Sequence, residues 1–168
     1  MMHHYKKRLE EAENVSELFD MVKEAVKETI GELRGGLNLG LMELGNGKAE
    51  WLGAFHPVGS NVIVMNKTPI RRIIETEPEL MKPYLFHVIL HEYLHSLGFL
   101  DEHLCRVLTY KICASVLGSR HIATEMCRDI SRFIPYLIYP GGFPQVDKDP
   151  DNMDIIDDLD QEDDFYIG

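Results

Sequence analysis

The residues best placed for chemistry are His91-Glu92-Tyr93-Leu94-His95, which bring two imidazoles and a carboxylate together in the middle of the chain. Four residues apart on a helix, His91 and His95 leave one face about one turn apart and can grip a single ion. Neutral imidazoles suit zinc, which in catalytic sites takes three protein ligands and keeps a fourth position for water. Glu92, about 100° further round the helix, reaches that water from the side and is the candidate general base. The ion acidifies the water towards a pKa of about 7, and the glutamate passes the water's proton to a leaving amine. That is peptide hydrolysis without a covalent intermediate. With eight His and sixteen Glu in the chain, chance places the motif in roughly 4% of shuffled sequences, so its setting decides its weight.

A third donor must come from further along. At about 1.5 Å per residue, a helix running straight past Gly98 leaves Asp101 to His103 roughly 9 to 18 Å from the two histidines. A turn at Gly98 is therefore required, and it swings Asp101 back towards the metal. Glu102, His103, His121 and Glu125 are the alternative donors. The Glu125-x-x-x-Asp129 spacing resembles the glutamate helix of gluzincins, where the Glu binds zinc and the Asp orients a histidine. Asp101 also reads as an N-cap, and Glu102 as an ion-pair partner of Arg106. His87 extends the series, but ligands eight residues apart stand about 12 Å from one another, so it reads as a polar residue near the cleft. His56, Tyr136 and Tyr139 are candidate substrate or oxyanion contacts, with a surface turn and aromatic packing as their plainer roles.

The run from His91 to Asp101, His-Glu-x-x-His-x-x-Gly-x-x-Asp, resembles the extended zinc motif of the metzincin clan, with Asp101 where a third histidine usually stands. Some compact bacterial and archaeal zincin-like proteins share that aspartate. The resemblance is tight over eleven residues and loose over the helix-strand-helix order from Asn14 to Asp101. It implies an α+β, zincin-like fold, a small mixed or antiparallel sheet with an active-site helix and backing helices, whose edge strand lines the cleft. It further implies one Zn2+ per chain on His91, His95 and Asp101, Glu92 as the catalytic residue, and a peptide or protein substrate. A bacterial ribosome-maturation metalloprotein family also has two histidines four apart and a third ligand at the place of Asp101, so a metal-dependent RNA hydrolase is one alternative. A non-catalytic, metal-stabilised adaptor that binds a partner through an acidic tail is another.

The elements that must position these residues follow from periodicity. Val15, Leu18, Phe19, Val22, Val26, Ile30 and Leu33 recur at helical spacing, with Asn14 and Glu17 as a capping box and Gly35-Gly36 as a stop. Leu37, Leu39 and Leu41 alternate, and Gly45-Asn46-Gly47 predicts a hairpin into an antiparallel strand over 49–55. Val62 to Met65 predicts the edge strand. Thr68-Pro69 opens a short helix to about Glu75. Thr76, Pro78 and Glu79 start the longer helix that points Tyr84, Leu85, Val88, Ile89, Leu94 and Leu97 to the core. A helix over 101–117 places Leu104, Val107, Leu108, Ile112 and Val116 on one stripe, and another runs from His121 to Phe133. The domain spans 14–135, between an N-terminal extension over 1–13 and a Pro/Gly-rich, acidic and flexible segment over 136–168.

The net charge is -11 over 168 residues. Between Asp147 and Asp164, ten acidic residues face only Lys148, so the rest is nearly neutral. A body without clustered Lys and Arg lacks the footprint for nucleic acid. The acidic tail either solvates the chain or inhibits it, Asp157 or Glu162 reaching the metal or Phe165 to Gly168 lying along the edge strand. Cys105, Cys113 and Cys127 read as free core thiols. Without a signal peptide or membrane span, the expected location is the cytoplasm.

Overall fold

The computed structural model describes residues 1–45, 53–140 and 154–156. It is an α+β fold in which a four-stranded mixed sheet lies against a set of helices.

The helix that carries the two histidines, α4 (Met81–Ser96), is buried on nearly every side. Beyond the expected Tyr84, Leu85, Val88, Ile89 and Leu94, it also buries Phe86, Leu90 and Tyr93. A helix apolar all round belongs inside a fold rather than on its surface. Around it pack α2 (Val15–Ile30), α5 (Glu102–Leu117) and α6 (Ile122–Arg128). The Thr76-Pro78-Glu79 signal forms a 3-10 turn, Pro78–Leu80, that leads into α4, while α3 (Lys67–Thr76) precedes it with Asn66 as its cap.

At the start of α2, Asn14 Oδ1 accepts from the Glu17 N–H at 2.9 Å, as the capping signal predicts. The helix ends earlier than expected. Gly31 takes the left-handed conformation at φ 75°, which Gly adopts at no steric cost, and Leu33 beyond it is exposed. The first residues are part of the core: α1 (Met2–Glu11) buries Tyr5 and Leu9 against α5, α2 and α4. The stripe of α5 is rotated from the predicted one. Cys105, Thr109, Ile112, Cys113, Val116 and Leu117 are buried, whereas Leu104 is exposed. Cys105 and Cys113 are buried free thiols as expected, and with Thr109 they fill the stripe as small core residues. The helix expected from His121 to Phe133 breaks at Asp129, whose carboxylate accepts from the Ser131 N–H, and a 3-10 stretch, Ile130–Tyr136, follows.

The sheet comprises β1 (Asn38–Met42), β2 (Ala54–Phe55), β3 (Val62–Asn66) and β4 (Asp154–Ile156), in the order β2-β3-β1-β4. The antiparallel partner of β2 is β3, with Phe55 opposite Val64, and not β1 as the hairpin reading holds. Residues 46 and 47 of that turn lie outside the described residues. β1 pairs β3 in parallel, Leu39 opposite Ile63. Val62 to Met65 is therefore an inner strand and β2 the edge. The reason is visible in the residues: Ile63, Val64 and Met65 are all buried, and a strand covered on both faces reads as a continuous apolar run.

The segment expected to be a flexible tail contributes structure. Leu137 is fully buried, and β4 pairs antiparallel with β1, setting the buried Ile156 opposite Leu39. The glycine cluster from 141, Asp157, Glu162 and Phe165 to Gly168 lie outside the described residues. Among the described residues no helix is long and apolar enough to cross a membrane.

Candidate metal centre

The reversal that the motif requires occurs where expected. α4 ends at Leu97, and Gly98 adopts φ 106°, a conformation that L side chains rarely take. The returning chain brings the Phe99 carbonyl to 2.8 Å from His95 Nδ1. The His95 Nδ1–H donates there, which leaves the Nε2 lone pair free to act as a ligand.

Two residues later Asp101 takes the N-cap role that its place before the helix allows. Its Oδ1 accepts from the Leu104 N–H at 2.8 Å. Its carboxylate serves its own helix. The carboxylate that meets the histidines belongs to Glu102, one of the alternative donors. Glu102 Oε1 lies 2.9 Å from His91 Nε2, Glu102 Oε2 lies 3.0 Å from His95 Nε2, and the two Nε2 atoms are 3.1 Å apart. Ligand atoms about 2.0 to 2.1 Å from a tetrahedral zinc stand roughly 3.3 Å from one another. The spacing of the two nitrogens and the reach of the carboxylate to each are near that value, and two imidazoles with a carboxylate are donor types zinc takes.

Cys105 offers a second way to complete the group, since its Sγ and one nitrogen of each histidine all lie within 4.8 Å. Its thiol, however, donates to the His91 carbonyl at 3.2 Å. Burial, reinforced by the charges of Glu102 and Glu92, pushes it up to about 12. The thiol is engaged at that carbonyl, whereas both Glu102 oxygens already face the imidazole nitrogens, so Glu102 is the better-placed third donor. Burial alone would raise the Glu102 carboxyl, but His91 and His95 together hold it below its ordinary value. His91 itself is lowered by burial, partly offset by Glu102.

Glu92 is buried, with Oε2 3.9 Å from His91 Nε2. Burial and the Glu102 carboxylate push it up to about 8, against a backbone hydrogen bond donated by His56. A cation held beside it acts in the opposite direction. The segment bearing His56 is tied down. His56 Nε2 donates to the Ser60 carbonyl at 3.0 Å, and Arg34 bridges that carbonyl to the last turn of α4, with Nη2 3.0 Å from Ser60 O and Nη1 2.6 Å from Ser96 O. The Arg34 N–H also donates to the Tyr93 hydroxyl at 2.8 Å. Neither Arg34 nor the His56 amide carries a sequence signal, because their partners are distant in the chain and backbone groups are alike everywhere.

The group opens into a cleft of about 620 Å³. Gly53, Ala54 and Phe55, at the β2 edge, form one wall, and Arg106, Cys127 and Arg128 belong to α5 and α6. His87 also lines it, buried, its Nδ1–H donating to the Tyr84 carbonyl at 2.6 Å. The other candidates are engaged elsewhere. Glu125 faces Arg132 at 3.7 Å, His121 caps α6 by accepting from the Ala123 N–H, and His103 is exposed. The Tyr139 hydroxyl donates to Glu75, with Arg72 over its ring, and Tyr136 is exposed. No protein-family model matches the chain, and neither the curated proteins nor the solved structures yield a match.

Proposed function

We propose that the chain is a zinc-dependent peptidase in which His91, His95 and Glu102 hold one zinc ion and Glu92 is the general base. The observation that carries this reading is the Glu102 carboxylate meeting both imidazoles, one oxygen 2.9 Å from His91 Nε2 and the other 3.0 Å from His95 Nε2, with the two nitrogens 3.1 Å apart beside the buried Glu92. When bound, the ion would supply a Lewis acid for the scissile carbonyl and would acidify a water. Glu92 is the group placed to take a proton from an attacking water and to return it to the leaving amine. The His56 N–H holds the Glu92 carboxylate in place, and Arg34 fixes the segment from which that N–H comes. β2 lines the cleft and, among the described residues, pairs on one side only, so it offers an extended peptide a strand to join. The three free cysteines suit a reducing compartment such as the cytoplasm.

The test is hydrolysis of heat-unfolded casein and of a quenched fluorescent peptide mixture by the full-length, zinc-loaded protein. Cleavage should stop with a chelator and return with zinc. Glu92→Gln should lower kcat by about 10²- to 10⁴-fold while keeping its zinc. An undiminished rate in Glu92→Gln, or no cleavage by the fully loaded native protein, would refute the assignment.

A further inference from the structure

Two thiols on different helices meet at the wall of the cleft. Cys113, on the buried stripe of α5, lies with its Sγ 3.4 Å from Cys127 Sγ, in the last turn of α6. Cys127 is partly exposed and lines the cleft, whereas Cys113 is fully buried behind it. Burial holds the Cys113 thiol well above its ordinary range and therefore protonated. The third cysteine, Cys105, is occupied at the His91 carbonyl. The arrangement is one reachable sulfur with one shielded sulfur in contact behind it, and neither thiol has a part in the proposed hydrolysis. A disulfide needs a sulfur separation of about 2.05 Å, so the pair must close by about 1.4 Å. Side-chain rotation and a small shift of the seven-residue α6 can supply that.

We propose that Cys113 and Cys127 form a peroxide-sensitive dithiol, with Cys127 as the sulfur oxidised from the cleft and Cys113 as the resolving thiol. The Cys127 thiolate attacks one oxygen of a hydroperoxide, breaking the O–O bond and giving Cys127 sulfenic acid plus water or an alcohol. The Cys113 sulfur then attacks the sulfenic sulfur, the S–O bond breaks, and the departing hydroxide leaves as water with the Cys113 proton. Two thiols lose two electrons and the peroxide gains them. The bond ties the end of α6 to α5 and fixes one wall of the cleft, whatever reaction the cleft performs. A thiol reductant reverses it.

The experiment treats the reduced, full-length chain with hydrogen peroxide, alkylates the remaining thiols under denaturing conditions and measures intact mass and linked peptides. Expected are the loss of two hydrogen masses, one alkylated thiol at Cys105, a Cys113–Cys127 linked peptide, and full recovery of three alkylated thiols after dithiothreitol. Cys127→Ser should fold, as its position is partly exposed, and should lose the two-hydrogen change. The proposal is overturned by a linkage through Cys105, by three free thiols after treatment, by Cys127 stopping at sulfinic acid, or by a two-hydrogen loss that persists in Cys127→Ser.

Discussion

Asp101 and Glu102 are adjacent carboxylates with separate tasks, and the separation follows from their places at a helix start. The N-cap side chain turns towards the free amides of its own first turn, so Asp101 accepts from the Leu104 N–H, and the next carboxylate is the one that spans His91 and His95. Asp101→Ala should cost about 1 kcal/mol in urea unfolding and leave metal affinity intact. A collapse of metal binding in that variant would return the ligand role to Asp101. The His pair and Glu92 are legible in the sequence because their spacing is local. The choice between Asp101 and Glu102 is not, since one residue of shift at a helix start decides which carboxylate caps α5 and which faces the two histidines. His87 gives a pH signature of its own. Burial holds its imidazole down to about 4, below the ordinary 6.5. The unfolded chain therefore binds that proton first, and the folded state loses stability as the pH falls from 6.5 towards 4. The loss approaches about 3 kcal/mol at the acid end and is absent above the ordinary value. Relative to His87→Gln, the native protein should lose that amount between neutral pH and about pH 4 in denaturant unfolding. Parallel pH profiles for the two would contradict the burial argument.

At the scale of elements, α4 holds the site by being wrapped on all sides, with Leu90 and Ile89 fully buried behind the two histidines. Leu90→Ala should cost about 2 to 5 kcal/mol, the range for removing a buried leucine side chain beyond its Cβ, and lower the midpoint of thermal unfolding accordingly. The end of α4 is readable from Gly98, whereas Pro78 and Glu79 form the 3-10 turn before it and the helix itself begins at Met81. Its full burial is not readable, because an all-apolar helix has no stripe to read. In α5 the core thiols Cys105 and Cys113 are legible, but Thr109 beside them and the exposure of Leu104 are not, because a hydrophobicity count ranks leucine above threonine. The contribution of α1 was equally hidden. Tyr5 and Leu9 are two apolar residues among charged ones, and only the surfaces of α2 and α5 show why they are buried. Tyr5→Ala should destabilise by about 3 to 5 kcal/mol, as large buried aromatics do, since it also removes the 2.9 Å hydrogen bond to Glu28. A change near zero in thermal unfolding would mean that α1 is not part of the folded core.

On the scale of the whole molecule, the sheet joins segments that no local rule connects. β1 pairs with β3 across the intervening β2, and with β4 from more than a hundred residues away. Strand register set by turns is legible in a sequence, whereas parallel pairing and pairing across long separations depend on which surfaces the helices leave to be covered. The α+β class survives this because it needs only the existence of the elements. The order of the strands does not, and the identity of the edge strand moves from Val62–Met65 to Ala54–Phe55 with it. That shift bears on the proposed peptide site, since it is β2 that lines the cleft. The described part of the acidic segment lies at the opposite end of the sheet, on β1. Ile156→Ala should therefore weaken the fold by about 2 to 5 kcal/mol without changing metal content. An unchanged unfolding midpoint would count against the pairing of β4.

Zinc content by elemental analysis of the native chain and of its Glu102→Gln and Asp101→Asn variants, each purified without added metal and dialysed in parallel, decides whether the two histidines and Glu102 hold an ion. One zinc per chain is expected in the native protein and in Asp101→Asn, with most of it lost in Glu102→Gln. Zinc retained by Glu102→Gln but lost from Asp101→Asn would contradict the ligand assignment, and a folded native chain without zinc would contradict the metal centre itself.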